Sequence, residues 1–173
     1  MLFPNLQIAM SEDNIIESLK TTPDQIVEFT LDELNYAIHL NSVVRVIHAV
    51  EIRFLPEAPE IISGIINVHG RIIPVINIRK RFGLEAKEIN PDNRIIIADT
   101  GKRQIALLAD TVTGMRYLSP GQVAIARKTL PFAEHLSGVA KVDEGLILIY
   151  DLEKFLSLDE EEILKQALKR KKK

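Results

Sequence analysis

The chain has 173 residues, a formal net charge of −2, 46% hydrophobic residues and no cysteine. That length suits one domain or two small interlocked ones, and it can bury a substantial core. The missing cysteine excludes a disulfide framework and any cysteine-based metal site or nucleophile. Apolar runs such as Ile95–Ala98 and Leu146–Tyr150 are far too short to span a bilayer. The first residues lack the basic start and long apolar core of a signal peptide, so a cytoplasmic location is the expectation. Charge is uneven: Lys165–Lys173 holds six basic residues and no acid, which leaves the body mildly acidic. An acidic body argues against a nucleic-acid platform, and the basic tail reads as a solvated, frayed helix end.

In chain order, Leu2–Pro23 is polar and irregular except for Ile15, Ile16 and Leu19, which suit one amphipathic turn after Ser11. Val27, Phe29 and Leu31 alternate with Glu28, Thr30 and Asp32, the period of a half-buried strand. Ala37–Leu40 and Val43–Ile47 read as strands parted by Asn41-Ser42. Leu55–Pro59 breaks regular structure because of its two prolines. Val68-His69-Gly70-Arg71 is a hairpin turn between apolar strands, with Gly70 free to take positive φ. Pro74 lacks a ladder donor, so its strand is expected at an edge or bulged. Asn77–Phe82 suits a short helical turn ended by Gly83. Asn90–Asn93 reads as a linker, followed by a hairpin of Arg94–Asp99 and Gln104–Leu108, and by a turn at Ser119–Gly121. Asp159–Glu162 opens a helix to about Leu168, with acids first and bases last as the helix dipole favours.

The chain also repeats itself. Ile62–Phe82 returns in degenerate form as Leu136–Leu156, with Ser63-Gly64 over Ser137-Gly138, Val75 over Ile149 and Asn77 over Asp151. Ala37–Val43 lies in the same way over Ala106–Val112. The chain therefore reads as two related halves joined at Asn90–Asn93.

No catalytic constellation emerges. His39, His48, His69 and His135 show no metal-site spacing, and His39 and His48 read as hydrogen-bonded structural histidines. There is no phosphate-binding glycine loop and no nucleophile elbow. Asp151 reads as a cap for Leu152–Leu156 rather than a catalytic acid. Arg71, Arg79, Lys80 and Arg81 form the best basic patch, and most aromatics fall at core-like positions. No cofactor and no enzymatic activity are expected, and a protein-binding module remains.

Gly64–Gly83, GIINVHGRIIPVINIRKRFG, resembles the signature of CheW-type chemotaxis coupling proteins, approximately G-V-I-N-L-R-G-x-I-I-P-V-I-D-L-R. Asn67, Gly70, Pro74, Asn77 and, in the second copy, Gly138 are its motif positions here. The resemblance runs from about Gln25 to Leu158 and implies a mainly β fold: two SH3-like five-stranded barrels around a shared core, with a C-terminal helix. It divides the chain into 1–23 as a flexible N-terminal segment, 24–158 as the CheW-like domain, and 159–173 as helix and basic tail. It implies a non-enzymatic adaptor that joins the regulatory domain of the histidine kinase CheA to the cytoplasmic tip of chemoreceptors, at arrays on the inner face of the membrane. Other CheW-like proteins in array rings are further implied partners, with neither nucleic acid nor membrane insertion. The implied receptor groove runs between the two barrels and carries over to Val43, Arg45, Gly64 and His69. Two of these depart from the family pattern: Arg45 stands where an acid is usual, and His69 where arginine is usual. Histidine titrates near neutral pH and lacks arginine's bidentate fork. Asn77, where aspartate is usual, is a milder change. An alternative reading is an orphan CheW-like scaffold that binds a CheA-like kinase in a chemosensory system with another input or output.

Overall fold

The computed structural model describes residues 24–124 and 133–172, so the expectations for residues 1–23 lie outside the described residues. Eleven strands and two helices are described: β1 (Asp24–Leu31), β2 (Leu34–His39), β3 (Val43–His48), β4 (Ile62–Val68), β5 (Arg71–Ile76), α1 (Ile78–Arg81), β6 (Arg94–Asp99), β7 (Gln104–Ala109), β8 (Thr111–Leu118), β9 (Val123–Ala124), β10 (Leu136–Val142), β11 (Gly145–Tyr150) and α2 (Leu158–Lys171). One sheet runs β8-β1-β2-β11-β10-β9, the other β3-β6-β7-β5-β4. The two-residue β9 makes the first sheet six-stranded rather than five-stranded.

The sheets do not coincide with the halves of the sequence. The β1–β2 hairpin joins β8–β11, and the β6–β7 hairpin joins β3–β5. Each barrel thus takes a hairpin from one half and the later strands from the other. Asn90–Asn93 parts the halves along the chain without parting the barrels.

The two exchanges match residue for residue. Val75 of β5 pairs in parallel with Ala106 of β7, and Ile149 of β11 with Ala37 of β2. These are the residues the internal repeat superposes. An isolated bridge from Arg53 to Ile65 mirrors Ala124 against Val139. The bulges at Ile62/Gly64 and Leu136/Gly138 correspond as well.

Local chemistry sets the turns. His69 (φ 51°) and Gly70 (φ 83°) are both left-handed, the primed geometry that suits a two-residue hairpin. The Asn67 side chain accepts a hydrogen bond from Gly70 N at 2.9 Å and closes the turn. Asn77 caps α1 by accepting from Lys80 N at 2.9 Å, and Asp151 caps the matching turn by accepting from Glu153 N at 3.0 Å. Ser157 and Glu160 form a reciprocal capping box at the start of α2.

Several expectations need correction. β5 is an interior strand, not an edge. Pro74 fits because it faces Ile65 of β4 and stands just before the pairs to β7, which begin at Val75. Glu28 is buried rather than on a wet face, and its carboxylate pairs with Arg116 of β8. The helix α2 continues through the basic residues to Lys171 and buries Leu164 and Ala167, so it is no frayed appendage.

Three cores follow from this layout. Ile66, Ile73, Val75, Ile95, Ile97 and Ala106 fill one barrel, and Ile26, Ala37, Leu118, Ala140, Ile147 and Ile149 fill the other. A larger third core lies between them, with residues from both sheets and from α2. At its centre Phe82 stacks on Tyr150 at 3.9 Å between centroids, and Tyr36, Phe29 and Phe155 extend the stack. Burial in this stack pushes the Tyr150 hydroxyl well above its ordinary pKa. Phe82→Ala should lower unfolding free energy by about 3–5 kcal/mol in a denaturant titration, as one transition. Two separated transitions would show that the barrels are stabilised independently.

Candidate functional site

Of the four residues carried over to the receptor groove, the structure brings two together. Arg45 on exposed β3 and His69 at the β4–β5 turn line one groove of about 390 Å³, with Val44, Val68, Ile73 and Gln104. The two departures from the family pattern thus share one surface, but that groove lies wholly on the β3-β6-β7-β5-β4 barrel and not between the barrels as expected. Val43 lies instead against the core between the barrels. Gly64 is buried, with φ 151°, where the Arg53–Ile65 bridge crosses β4. A Cβ on Gly64 would stand 2.3 Å from the Arg53 carbonyl oxygen. Its mate Gly138 is crowded less severely: a Cβ there would stand 2.7 Å from Val123 Cγ1 and 3.2 Å from the Ala124 carbonyl oxygen. The glycines therefore permit a backbone crossing at each barrel.

The proposed basic patch dissolves in the fold. Arg79 turns inward and is only 11% exposed. Its Nη2 donates to Asp110 at 2.8 Å, and its two terminal nitrogens donate to Asp32 at 3.0 and 3.1 Å. Asp110 also accepts from Asp32 N at 2.8 Å and from Lys87 Nζ at 3.2 Å. Lys80 pairs with Glu60, and Arg81 with Glu160 on α2. Arg71 remains exposed. Sequence spacing gave no hint of these partners, because Asp32 and Asp110 lie far from Arg79 along the chain.

The Arg79 hydrogen bond, joined by its charge, holds the Asp32 carboxyl below its ordinary value despite partial desolvation. For Asp110, burial pushes upward most strongly, but the Asp32 amide, Arg79 and Lys87 together outweigh it and hold the carboxyl low. Arg79 is correspondingly raised, chiefly by its hydrogen bond to Asp32. Carboxyls depressed in the fold stabilise it above their unfolded pKa, and that contribution disappears as pH falls through the folded value.

His39 is a structural histidine, held by Asp24 at 3.1 Å and Ser137 at 3.0 Å. His48 is exposed at the end of β3, contrary to expectation. Among the described residues no group of three metal-ligating side chains converges, and no helix is long and apolar enough to cross a membrane.

Two barrels locked on one core, with side-chain-lined grooves at their rims, define a β-barrel module built to present fixed surfaces to partners. The chain belongs to the CheW-like domain family, whose model matches residues 25–160. The chemotaxis protein CheW of Thermotoga maritima is 29% identical over 132 residues, which covers 76% of this chain and 87% of that one. Protein FrzA of Myxococcus xanthus is 24% identical over 139 residues, covering 76% and 83%. The crystal structure of the scaffolding protein TtCheW from Thermoanaerobacter tengcongensis superposes with a TM-score of 0.74 at 32% identity, covering 80% of this chain and 95% of that one. The mainly β, two-barrel expectation is thereby met.

Gly64→Ala should cost about 2 kcal/mol or more in unfolding free energy, since the Arg53 backbone must move; an unchanged midpoint would place that crossing elsewhere. Arg79→Met should destabilise the protein at pH 7, and the gap to the parent should close as pH falls below about 4, when Asp32 and Asp110 protonate. A gap independent of pH would mean that Arg79 acts by packing alone.

Proposed function

We propose that this protein couples chemoreceptors to a CheA-type histidine kinase, binding the kinase's regulatory domain with one face and the cytoplasmic tip of the receptors with another. It is a chemotaxis adaptor, and its work is positioning rather than catalysis. The observation that carries this reading is the double barrel itself, matched to the family along residues 25–160 and built around one shared core. A rigid two-barrel body holds two docking faces in fixed relation, which is what an adaptor between a kinase and a receptor requires. Relatives with chemotaxis names align over about three-quarters of the chain, which favours this reading over an orphan scaffold. The kinase's regulatory domain resembles the same family, so barrel-on-barrel pairing is the expected mode, at receptor arrays beneath the membrane.

The receptor face is proposed at the groove of Arg45 and His69, with Val43 and Gly64 behind it as shaping residues. Arginine and histidine there favour a receptor tip with an acidic or amide-rich contact, where family members present an acid and an arginine. That pair retunes the partner rather than removing the site.

Calorimetric titration with the kinase regulatory domain of the same organism, at two salt concentrations, should give saturable binding near one-to-one stoichiometry with weak salt dependence. No heat at high concentration would remove the kinase half of the proposal. His69→Ala should weaken co-sedimentation of receptor arrays several-fold while leaving melting within about 1 kcal/mol of the parent. Unchanged assembly would show that receptors do not use this groove.

A further inference from the structure

Successive side chains of a strand point to opposite faces, yet Val44 and Arg45 of β3 line the same groove of the β3-β6-β7-β5-β4 barrel. The cause is a bulge. The register of β3 against β6 shifts between Val43 and Arg45, and such a shift re-aims the side chains beside it. From the other side the β4–β5 turn contributes His69, and the start of β5 contributes Arg71. The left-handed backbone of that turn and its closure by Asn67 hold His69 in place. Gln104 at the start of β7 completes the rim, and Ile73 and Ile97 form a buried apolar floor.

Among the described residues no aspartate or glutamate lines this groove. Every other arginine among those residues lies against a carboxylate or donates to a backbone carbonyl. Arg45 and Arg71 do neither among those residues, and both line the groove. The fold does not require them. In the repeat register Gly114 stands at Arg45, Asp143 at His69 and Gly145 at Arg71, and the second barrel forms with those residues in place. Arg116 of that barrel is already taken by Glu28 and, at 3.5 Å, by Glu144. The two arginines and the histidine thus mark one barrel, and its construction does not explain them.

We infer that this groove is a binding site for a small organic phosphate monoester, with the phosphate between Arg45, His69 and Arg71 and the apolar body of the ligand on Val44, Val68, Ile73 and Ile97. Guanidinium forks meet phosphate oxygens in paired, charge-assisted hydrogen bonds, and two of them match a dianion better than the single charge of a carboxylate. Histidine and glutamine add donors at the same rim. The aliphatic floor offers no polar partner, so it selects a ligand with an apolar body over a bare ion. A volume of about 390 Å³ suits a small ligand. Such a ligand would lie across the proposed receptor face and regulate docking there. That consequence rests on the adaptor reading, whereas the site itself does not.

The test is an amide-resolved NMR titration of the full chain, at low ionic strength, with phenyl phosphate, inorganic phosphate, benzoate and phenol in turn. Phenyl phosphate should give saturable shifts at Val44, Arg45, His69, Arg71 and Gln104. Inorganic phosphate lacks the apolar body and benzoate the second charge, so each should bind about fivefold more weakly or less tightly still. Phenol should give no saturable shift there. Arg45→Gln and Arg71→Gln should each weaken phenyl phosphate about tenfold or more, with an unchanged melting temperature because both side chains are exposed. Arg45→Glu should abolish the binding. Phenol, benzoate or inorganic phosphate bound as tightly as phenyl phosphate, shifts centred on the lysines of α2, or no saturation at millimolar ligand would each overturn the proposal. Parental affinity in both glutamine variants would overturn it as well. The titration contains neither receptor nor kinase, so its failure leaves the adaptor reading standing, and a failure of receptor co-sedimentation leaves this site standing.

Discussion

Everything in this molecule depends on the apolar layer between the two barrels. Neither barrel has a large core of its own: each interior is a small cluster of aliphatic side chains. The central layer adds five stacked aromatics, strands from both sheets and the buried face of α2. Aromatic pairs of this geometry each contribute about 0.5–1.5 kcal/mol beyond the area they bury. The exchange of hairpins makes that layer unavoidable. Because β1–β2 completes the barrel of the second half, and β6–β7 that of the first, neither half closes a barrel without the other.

Fixed geometry is the functional yield of this constraint. A module that joins two partners is useful only if its faces keep their relative orientation, and barrels sharing a core cannot swing on a linker. The polar network around Arg79 acts with the same effect. It ties α1 of the first half to the β1–β2 turn and to the start of β8, three points that sequence distance keeps apart. The two halves are not equivalent at the surface. Lys87 and its neighbours cover the cleft under α1, whereas its repeat mate at Ser137 and Tyr150–Glu153 is wider among the described residues.

Much of the fold was legible in the sequence. The hairpin turns at His69-Gly70 and at Thr100–Lys102, the caps at Asn77 and Asp151, and the register of the internal repeat all follow from residue chemistry within a few positions. What the sequence hid was long-range. Alternation in β1 placed Glu28 in solvent, but Arg116 of β8 neutralises it and allows its burial. Pro74 argued for an edge, but its missing donor falls just before the β7 pairing begins. The run Arg79-Lys80-Arg81 looked like a basic patch because Asp32, Glu60, Asp110 and Glu160, which bind it, are distant in sequence. The candidate groove was half legible. Arg45 and His69 do meet, whereas Val43 and Gly64 serve the core and the strand crossing behind it.

The most direct test of this account is native-state hydrogen exchange in rising denaturant, read at the amides of β4–β5 and of β10–β11. If the barrels stand on one shared core, both sets should converge on a single opening free energy equal to that of global unfolding. Two sets that open at clearly different free energies would contradict it, since each barrel would then be stable without the other.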